Sequence, residues 1–354
     1  MHTVTTEQQL VEVVRSGSRV RVRGAGTKSA PEPDGGVGVC MGGMTGVLQY
    51  DPGEFTFTAL AGTRLSEVEG LLAEKNQYLP FDPPLVEAGA TLGGTVATGV
   101  SGSGRLRYGG VRDFLLGARI VTGEGQAVMA GSKVVKNAAG FDLPKLMVGS
   151  LGRYGLLTEL TFKVFPRPEC SATLVFEAGA VAEGVTLMNR LAGSQYDLAC
   201  LDMDDAHRVW ARLAGFRQAV AARAERVLRE VAAPGRVTTE DEDHRFWRDA
   251  REFAWIPPGH DLIKIALTPD KIEPLSAAFA TLPKRFCVGG HLAWIGWPEG
   301  KTLEPLETTL QQLGCAGAAI TGASPRRTLG RPQGGAFAAR LQTALDPHHK
   351  FSSD

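Results

Sequence analysis

The sequence predicts an α+β chain of two domains, on three observations. Short strands with period-two alternation are interspersed with amphipathic helices. Of 44 glycines in 354 residues, most fall before residue 160, which marks a region of tight turns and close backbone approaches. After Pro168 glycine thins out and strand/helix units of a different style take over. That change puts a domain boundary near residue 168, giving domains 1–168 and 169–354.

The elements follow in order. Thr5 and Gln8 make a capping-box start for a short helix ending near Gly17. Arg19 to Arg23 alternates with period two and reads as a half-buried strand. Residues 30–46, APEPDGGVGVCMGGMTG, read as a loop with a short strand. Phe55 to Leu60 is a strand, and Thr63 is placed to cap the helix that runs through Lys75. A helix of small residues starts at Thr91 or Leu92. Leu116–Val121 and Gln126–Ala130 form a hairpin about the turn 122–125, and Leu156 to Phe165 is a further strand. Beyond the boundary, Arg208–Phe216 and Leu262–Leu267 read as strands. Arg217–Val231, Ile272–Ala280, Leu303–Leu313 and Gly335–Leu345 read as helices.

Composition excludes several classes. Lys+Arg and Asp+Glu are equal at 38 each, so no net field draws the chain toward nucleic acid or anionic lipid. The five cysteines are scattered, with no C-x-x-C and no neighbouring His pair, so no metal site or iron–sulfur cluster is expected from this chain. Reduced thiols, an N-terminus without a signal-peptide pattern, and no apolar run near the ~20 residues of a membrane span suggest a cytoplasmic protein.

The first strand runs into Gly24-Ala25-Gly26-Thr27-Lys28. Ser29 stands where a G-x-G-x-x-G fingerprint needs its third glycine, and Thr27 stands where a Walker A loop needs the glycine before lysine. Consecutive small residues nevertheless leave backbone N–H groups free to face one concavity, and Lys28 adds a charge. The competing reading is a plain glycine turn. A second Gly-rich stretch, Ala90-Thr91-Leu92-Gly93-Gly94, opens a helix about 65 residues later. Two anion-friendly loops suit a pyrophosphate gripped from two sides.

Arg23-Gly24-Ala25-Gly26-Thr27, Pro83-Pro84, the Ala90–Gly94 stretch and Arg107-Tyr108-Gly109-Gly110-Val111-Arg112-Asp113 resemble the PCMH-type FAD-binding domain of the vanillyl-alcohol-oxidase superfamily. Lys136-Asn137-Ala138-Ala139-Gly140-Phe141-Asp142-Leu143, Gly149–Gly155, Phe246-Trp247-Arg248, Gly289–Trp294 and the tail from Leu345 to Phe351 narrow the likeness. They resemble the FAD-binding subunits of bacterial glycolate oxidases. The resemblance implies a PCMH-type domain of two α+β subdomains. A smaller α+β cap domain with an antiparallel sheet would follow, its C-terminal helix returning toward the FAD domain. It implies that Arg23, Gly24, Ala25, Gly26, Thr27, Lys28, Ala90, Thr91, Gly93 and Gly94 hold the pyrophosphate, with Pro83 also among the cofactor-binding residues. Ala97, Thr98, Ser101 and Gly102 would line the flavin's path, and Gly155, Leu156 and Leu157 would meet it from a strand; read from the residues alone, that last stretch is a plain buried strand. Covalent relatives carry a His or Cys in the first loop; this loop has neither, so the FAD is expected to be non-covalent.

The resemblance further implies a complex with a catalytic flavin subunit and an iron–sulfur subunit. It would oxidise glycolate to glyoxylate and could be membrane-associated through those partners. Candidates for chemistry in this chain are Lys136 and Asn137 near the isoalloxazine edge, Arg112 as an anion clamp, and His291; no metal is expected. Related hydroxy-acid dehydrogenases bring a paired-His motif, and His291 has no second His close by. The tail also departs from the family: relatives continue after Phe with Asn-Pro-Gly, where this chain has Phe351-Ser352-Ser353-Asp354. Two alternatives stand beside the subunit reading: a self-sufficient FAD-dependent 2-hydroxy-acid dehydrogenase, and a non-catalytic scaffold that has lost the flavin.

Overall fold

The computed structural model describes residues 1–28, 36–131, 142–322, 328–331 and 334–351. The N-terminal helix spans Glu7–Arg15, because Leu10 and Val14 must both face the core. Its capping box uses Thr6 and Gln9, one residue later than the Thr5/Gln8 pair. Gln9 Oε1 accepts from both the Thr5 and Thr6 amides, so the burial frame set by Leu10 selects which threonine caps. The second helix, Leu65–Ala73, has Arg64 rather than Thr63 at its N-cap. The Thr63 hydroxyl is committed elsewhere, accepting from Gly46 N and donating to Gly46 O.

Strand Val20–Arg23 lies parallel to Val37–Cys40, which pairs in turn with His2–Thr3. This small parallel sheet delivers the Gly24–Lys28 loop. Beside it stands a five-stranded antiparallel sheet in the order Val47–Asp51, Thr56–Leu60, Leu156–Lys163, Leu115–Val121, Ala127–Gly131. Leu156–Lys163, expected to run to Phe165, ends at Lys163; Phe165–Pro166 pairs instead with Gln77–Tyr78. Stacked Phe57, Phe162 and Phe81 anchor the core on one face of that sheet.

From Cys170 onward the chain builds a nine-stranded antiparallel sheet, the widest described. Its order is Gly235–Val237, Cys170–Phe176, Val209–Gly215, Cys200–Met203, Lys284–Cys287, Leu292–Pro298, His260–Ala266, Ala316–Ala319, Thr328–Gly330. Helices Val181–Ala192, Arg217–Glu230, Ile272–Ala278 and Glu304–Leu313 cover one face with an apolar core. The opposite face carries Arg285, Trp294, Lys264 and Ala318 in register across four strands. Trp294, Trp297, Phe246 and Trp247 are all buried.

The C-terminal helix Gly335–Leu345 lays Ala338, Leu341 and Leu345 against the core of the five-stranded sheet. The tail beyond it is anchored rather than frayed. Asp346 accepts from the amides of Lys350 and Phe351, Phe351 is buried, and Val20 N donates to Lys350 O. His348 and His349 are exposed on this anchored turn.

Candidate functional site

The two glycine loops meet in one cleft enclosing about 780 Å³, open mouth included. Gly24 is what lets them meet: a Cβ there would stand 2.5 Å from Thr91 Oγ1. Gly26 turns the loop with φ +77°, and a Cβ there would strike the Arg23 guanidinium folded across it. The amides of Ala25 to Lys28 donate to no group among the described residues. A segment with unpaired amides is stable only against water or an anion.

The second loop contributes differently from the sequence expectation. Helix Leu92–Thr98 is capped by Thr91, whose Oγ1 accepts from Gly94 N at 3.2 Å. Leu92 N donates to Thr63 O, Gly93 N to Ala61 O and Thr95 N to Thr91 O. The first-turn amides are therefore already paired. What this helix offers is a wall without side chains, through Gly93 and Gly94. The far wall is Ser150–Gly152, laced to the end of the same helix by Gly149 N to Val96 O and Leu151 N to Ala97 O.

Of the residues singled out from the sequence, the cleft brings together Arg23, Gly24, Ala25, Gly26, Thr27, Lys28, Thr91, Gly93, Gly94, Ala97, Thr98, Gly155 and Leu157. Pro83, Ala90, Ser101, Gly102 and Leu156 stand outside its walls. Ala90 is fully buried, its carbonyl accepting from Leu65 N. Ser101 Oγ accepts from Val111 N, and Gly102 packs against Asp82. The Leu156 side chain joins the core beneath the N-terminal helix. Arg112 and His291 are exposed. Lys136 and Asn137 lie outside the described residues, as does the tail after Phe351.

Lys28 Nζ is sealed from solvent at this cleft and has no hydrogen-bond partner among the described residues. Burial pulls its pKa from 10.5 to about 8, against the opposing pull of Glu252. An orphaned buried ammonium beside unpaired amides fits an anionic diphosphate.

A second constellation was not read from the sequence. Lys264, on the inward face of the nine-stranded sheet, donates from Nζ to Gly99 O at 3.1 Å. Gly99 is the left-handed C-cap of helix Leu92–Thr98, so this cation reaches the end of the helix that walls the cleft. Burial, with the Arg105 charge adding to it, lowers the Lys264 pKa to about 8. Nearby, Asp82, Gly102, Ser103, Arg251, Trp255, Arg285 and Trp294 line a small pocket between the two sheets. Three buried donors there have no hydrogen-bond partner among the described residues: Trp255 Nε1, Arg285 Nη1 and Arg251 Nε, the last 3.6 Å from the Glu252 carboxylate. The Arg285 guanidinium lies 4.5 Å from the Phe246 ring centre and 5.3 Å from that of Trp255. Burial raises the pKa of both Asp82 and Asp202. Asp202 is held by the Ser103 hydroxyl and the Val288 amide. The one sequence signal for this cluster was a lysine inside an apolar strand, Leu262-Ile263-Lys264-Ile265.

Comparison with known proteins places this geometry. The profile of the FAD-binding-domain family matches residues 2–131. Glycolate oxidase subunit GlcE of Escherichia coli (strain K12) is 36% identical over 256 residues, 71% of this chain and 67% of that protein. D-lactate dehydrogenase of Anaerostipes hadrus is 33% identical over 47% of this chain, and glycolate oxidase subunit GlcD of Bacillus subtilis (strain 168) 31% over 48%. The chain spans about a third of the length of each of those two, 34% and 37%. A solved structure of alkyldihydroxyacetonephosphate synthase matches with a TM-score of 0.72 at 17% identity, over 98% of this chain and 75% of that one, a likeness of fold. The two glycine loops, the orphaned lysine between them and the similarity to GlcE agree: the chain belongs to the GlcE family of glycolate oxidase subunits, and its cofactor is FAD.

Proposed function

We propose that this chain is the FAD-carrying subunit of a glycolate oxidase complex. There it supports oxidation of glycolate to glyoxylate, beside a catalytic flavin subunit, with electrons passing toward an iron–sulfur subunit. The observation that carries the reading is the cleft in which unpaired loop amides and the orphaned Lys28 ammonium converge. The Arg23–Lys28 loop holds the diphosphate. Thr91, Gly93 and Gly94 give it room, and Ala97, Thr98, Gly155 and Leu157 flank the path toward the flavin. FAD supplies the two-electron chemistry when bound. In this reading the FAD-binding domain is 1–168 and the cap domain 169–354, supported by the change of sheet at Cys170 and the return of helix Gly335–Leu345 to the first core. Any membrane association runs through partner subunits: no described helix is long and apolar enough to cross a membrane.

A second reading, oxidation of a 2-hydroxy acid by this chain itself, is favoured by one observation. In the pocket holding Arg251, Trp255 and Arg285, Trp255 Nε1 and Arg285 Nη1 are buried donors with no hydrogen-bond partner among the described residues, as a carboxylate requires. Anaerobic glycolate added to the purified chain decides between the two. Flavin bands that stay unbleached until partner subunits are added support the subunit role. Bleaching of the isolated chain supports the second reading. A colourless chain that added FAD does not restore refutes both and leaves the scaffold.

A further inference from the structure

We propose that Lys28 takes up a proton when the cofactor's diphosphate enters the cleft, so that FAD loading of this chain is linked to pH. The inference rests on the assignment of the diphosphate to this cleft made above. Lys28 lines the cleft, and its Nζ is buried with no partner among the described residues. Among the described residues of its own loop the charged neighbour is Arg23, whose guanidinium lies across Gly26. From the helix Glu240–Glu252 the neighbour is Glu252, the acid whose field reaches Lys28. That carboxylate is already engaged by the amides of Val86, Glu87 and Ala88, at 2.9, 3.1 and 3.4 Å, and lies 3.6 Å from Arg251 Nε. The remaining walls, Gly93–Thr98, Ser150–Gly152, Gly155 and Leu157, carry no titratable side chain. Among the described residues, then, no acid pairs with Lys28, and burial lowers its pKa to about 8.

A diphosphate brings two negative charges to that ammonium. The bound state restores the fully protonated lysine, and the proton comes from solvent. Linkage sets the sign: the loaded state binds the extra proton, so affinity is full below about pH 8 and falls as pH rises above it.

The test is calorimetric titration of FAD into the apo chain in two buffers of different ionisation enthalpy, across about pH 6.5–9. The expected uptake is about half a proton per FAD at pH 8 and about a tenth at pH 7, with the dissociation constant rising about tenfold per pH unit above pH 8. Lys28→Arg, always charged, is expected to bind with no proton uptake and a flat pH profile. Lys28→Met is expected to bind about tenfold more weakly, also flat. No uptake by the wild type, or uptake that survives in Lys28→Met, overturns the proposal. A Gly94→Leu chain, whose side chain enters the cleft, separates this from the site assignment. If it is folded by circular dichroism and still binds FAD like wild type, the diphosphate is elsewhere and the assignment itself fails. If it loses FAD while the wild type takes up no proton, the Lys28 proposal alone fails.

Discussion

Replacing Lys264 with methionine is expected to stabilise the chain at neutral pH and to lose that advantage in alkali. Lys264 is half-buried with its ammonium desolvated, and its acceptor among the described residues is Gly99 O at 3.1 Å. Its pKa falls from 10.5 to about 8. At about 1.4 kcal/mol per pH unit, holding the charge at pH 7 costs about 3 kcal/mol. Methionine fills a similar volume and removes that cost, while leaving Gly99 O without its donor returns about 1 kcal/mol. The net expectation is a gain of about 2 kcal/mol at pH 7. The sign with pH follows from proton counting. Between about pH 8 and 10.5 the unfolded chain binds more protons at this site than the folded one. Wild-type stability therefore rises through that window, whereas the variant has no such contribution. Paired denaturant melts of the apo wild type and Lys264→Met at pH 7 and pH 9.5 read the difference, and other titrating groups cancel in the comparison. The gap of about 2 kcal/mol at pH 7 is expected to close by pH 9.5. A variant that is destabilised, or equally displaced at both pH values, refutes the reasoning.

Three further outcomes are expected. Asp202→Ala removes the acceptor of the Ser103 hydroxyl and the Val288 amide, and should cost about 3 kcal/mol in a urea melt. Asp202→Asn, which keeps an oxygen acceptor, should cost less. Glu7→Gln breaks the two-pronged contact with Arg119 at 2.6 and 2.9 Å, and should cost about 1 kcal/mol at pH 7. Arg119 holds the Glu7 carboxyl below its usual range, so this contribution is lost as pH falls through that depressed value, and the gap between wild type and variant should narrow in melts at about pH 3. Gly93→Val sets a side chain 2.9 Å from the Ala61 carbonyl and methyl, and should leave the purified chain without its flavin absorbance at 450 nm or so, about the wavelength of oxidised flavin.

Much of the first half was legible because its signals are local. Glycines bunch where loops must approach one another, and Thr91 sits directly before the helix it caps. Helix Arg217–Glu230 was legible for the same kind of reason, burying Val220, Ala224 and Val227 on one stripe. The strands Cys200–Met203, Lys284–Cys287 and Leu292–Pro298 were not, because the cap sheet is covered on both faces and buried strands show no alternation. The Thr63 cap failed because a hydroxyl bonded to Gly46, 17 residues away, is no longer available to its own helix.

Sequence by itself marked out the Gly24–Lys28 loop. Its glycines, its lysine and its place at the end of a strand are short-range facts, and short-range sterics decide what such a backbone can do. Only the tertiary structure decided which charges end up dry. Lys28 became an orphan among the described residues because the walls opposite carry no titratable side chain. Lys264 reached Gly99, 165 residues away in sequence, because strand register turned it toward the first core. The Trp255 and Arg285 donors that lack a hydrogen-bond partner among the described residues share a pocket for the same reason. Desolvation depends on every group packed around a charge, and those neighbours come from the whole fold.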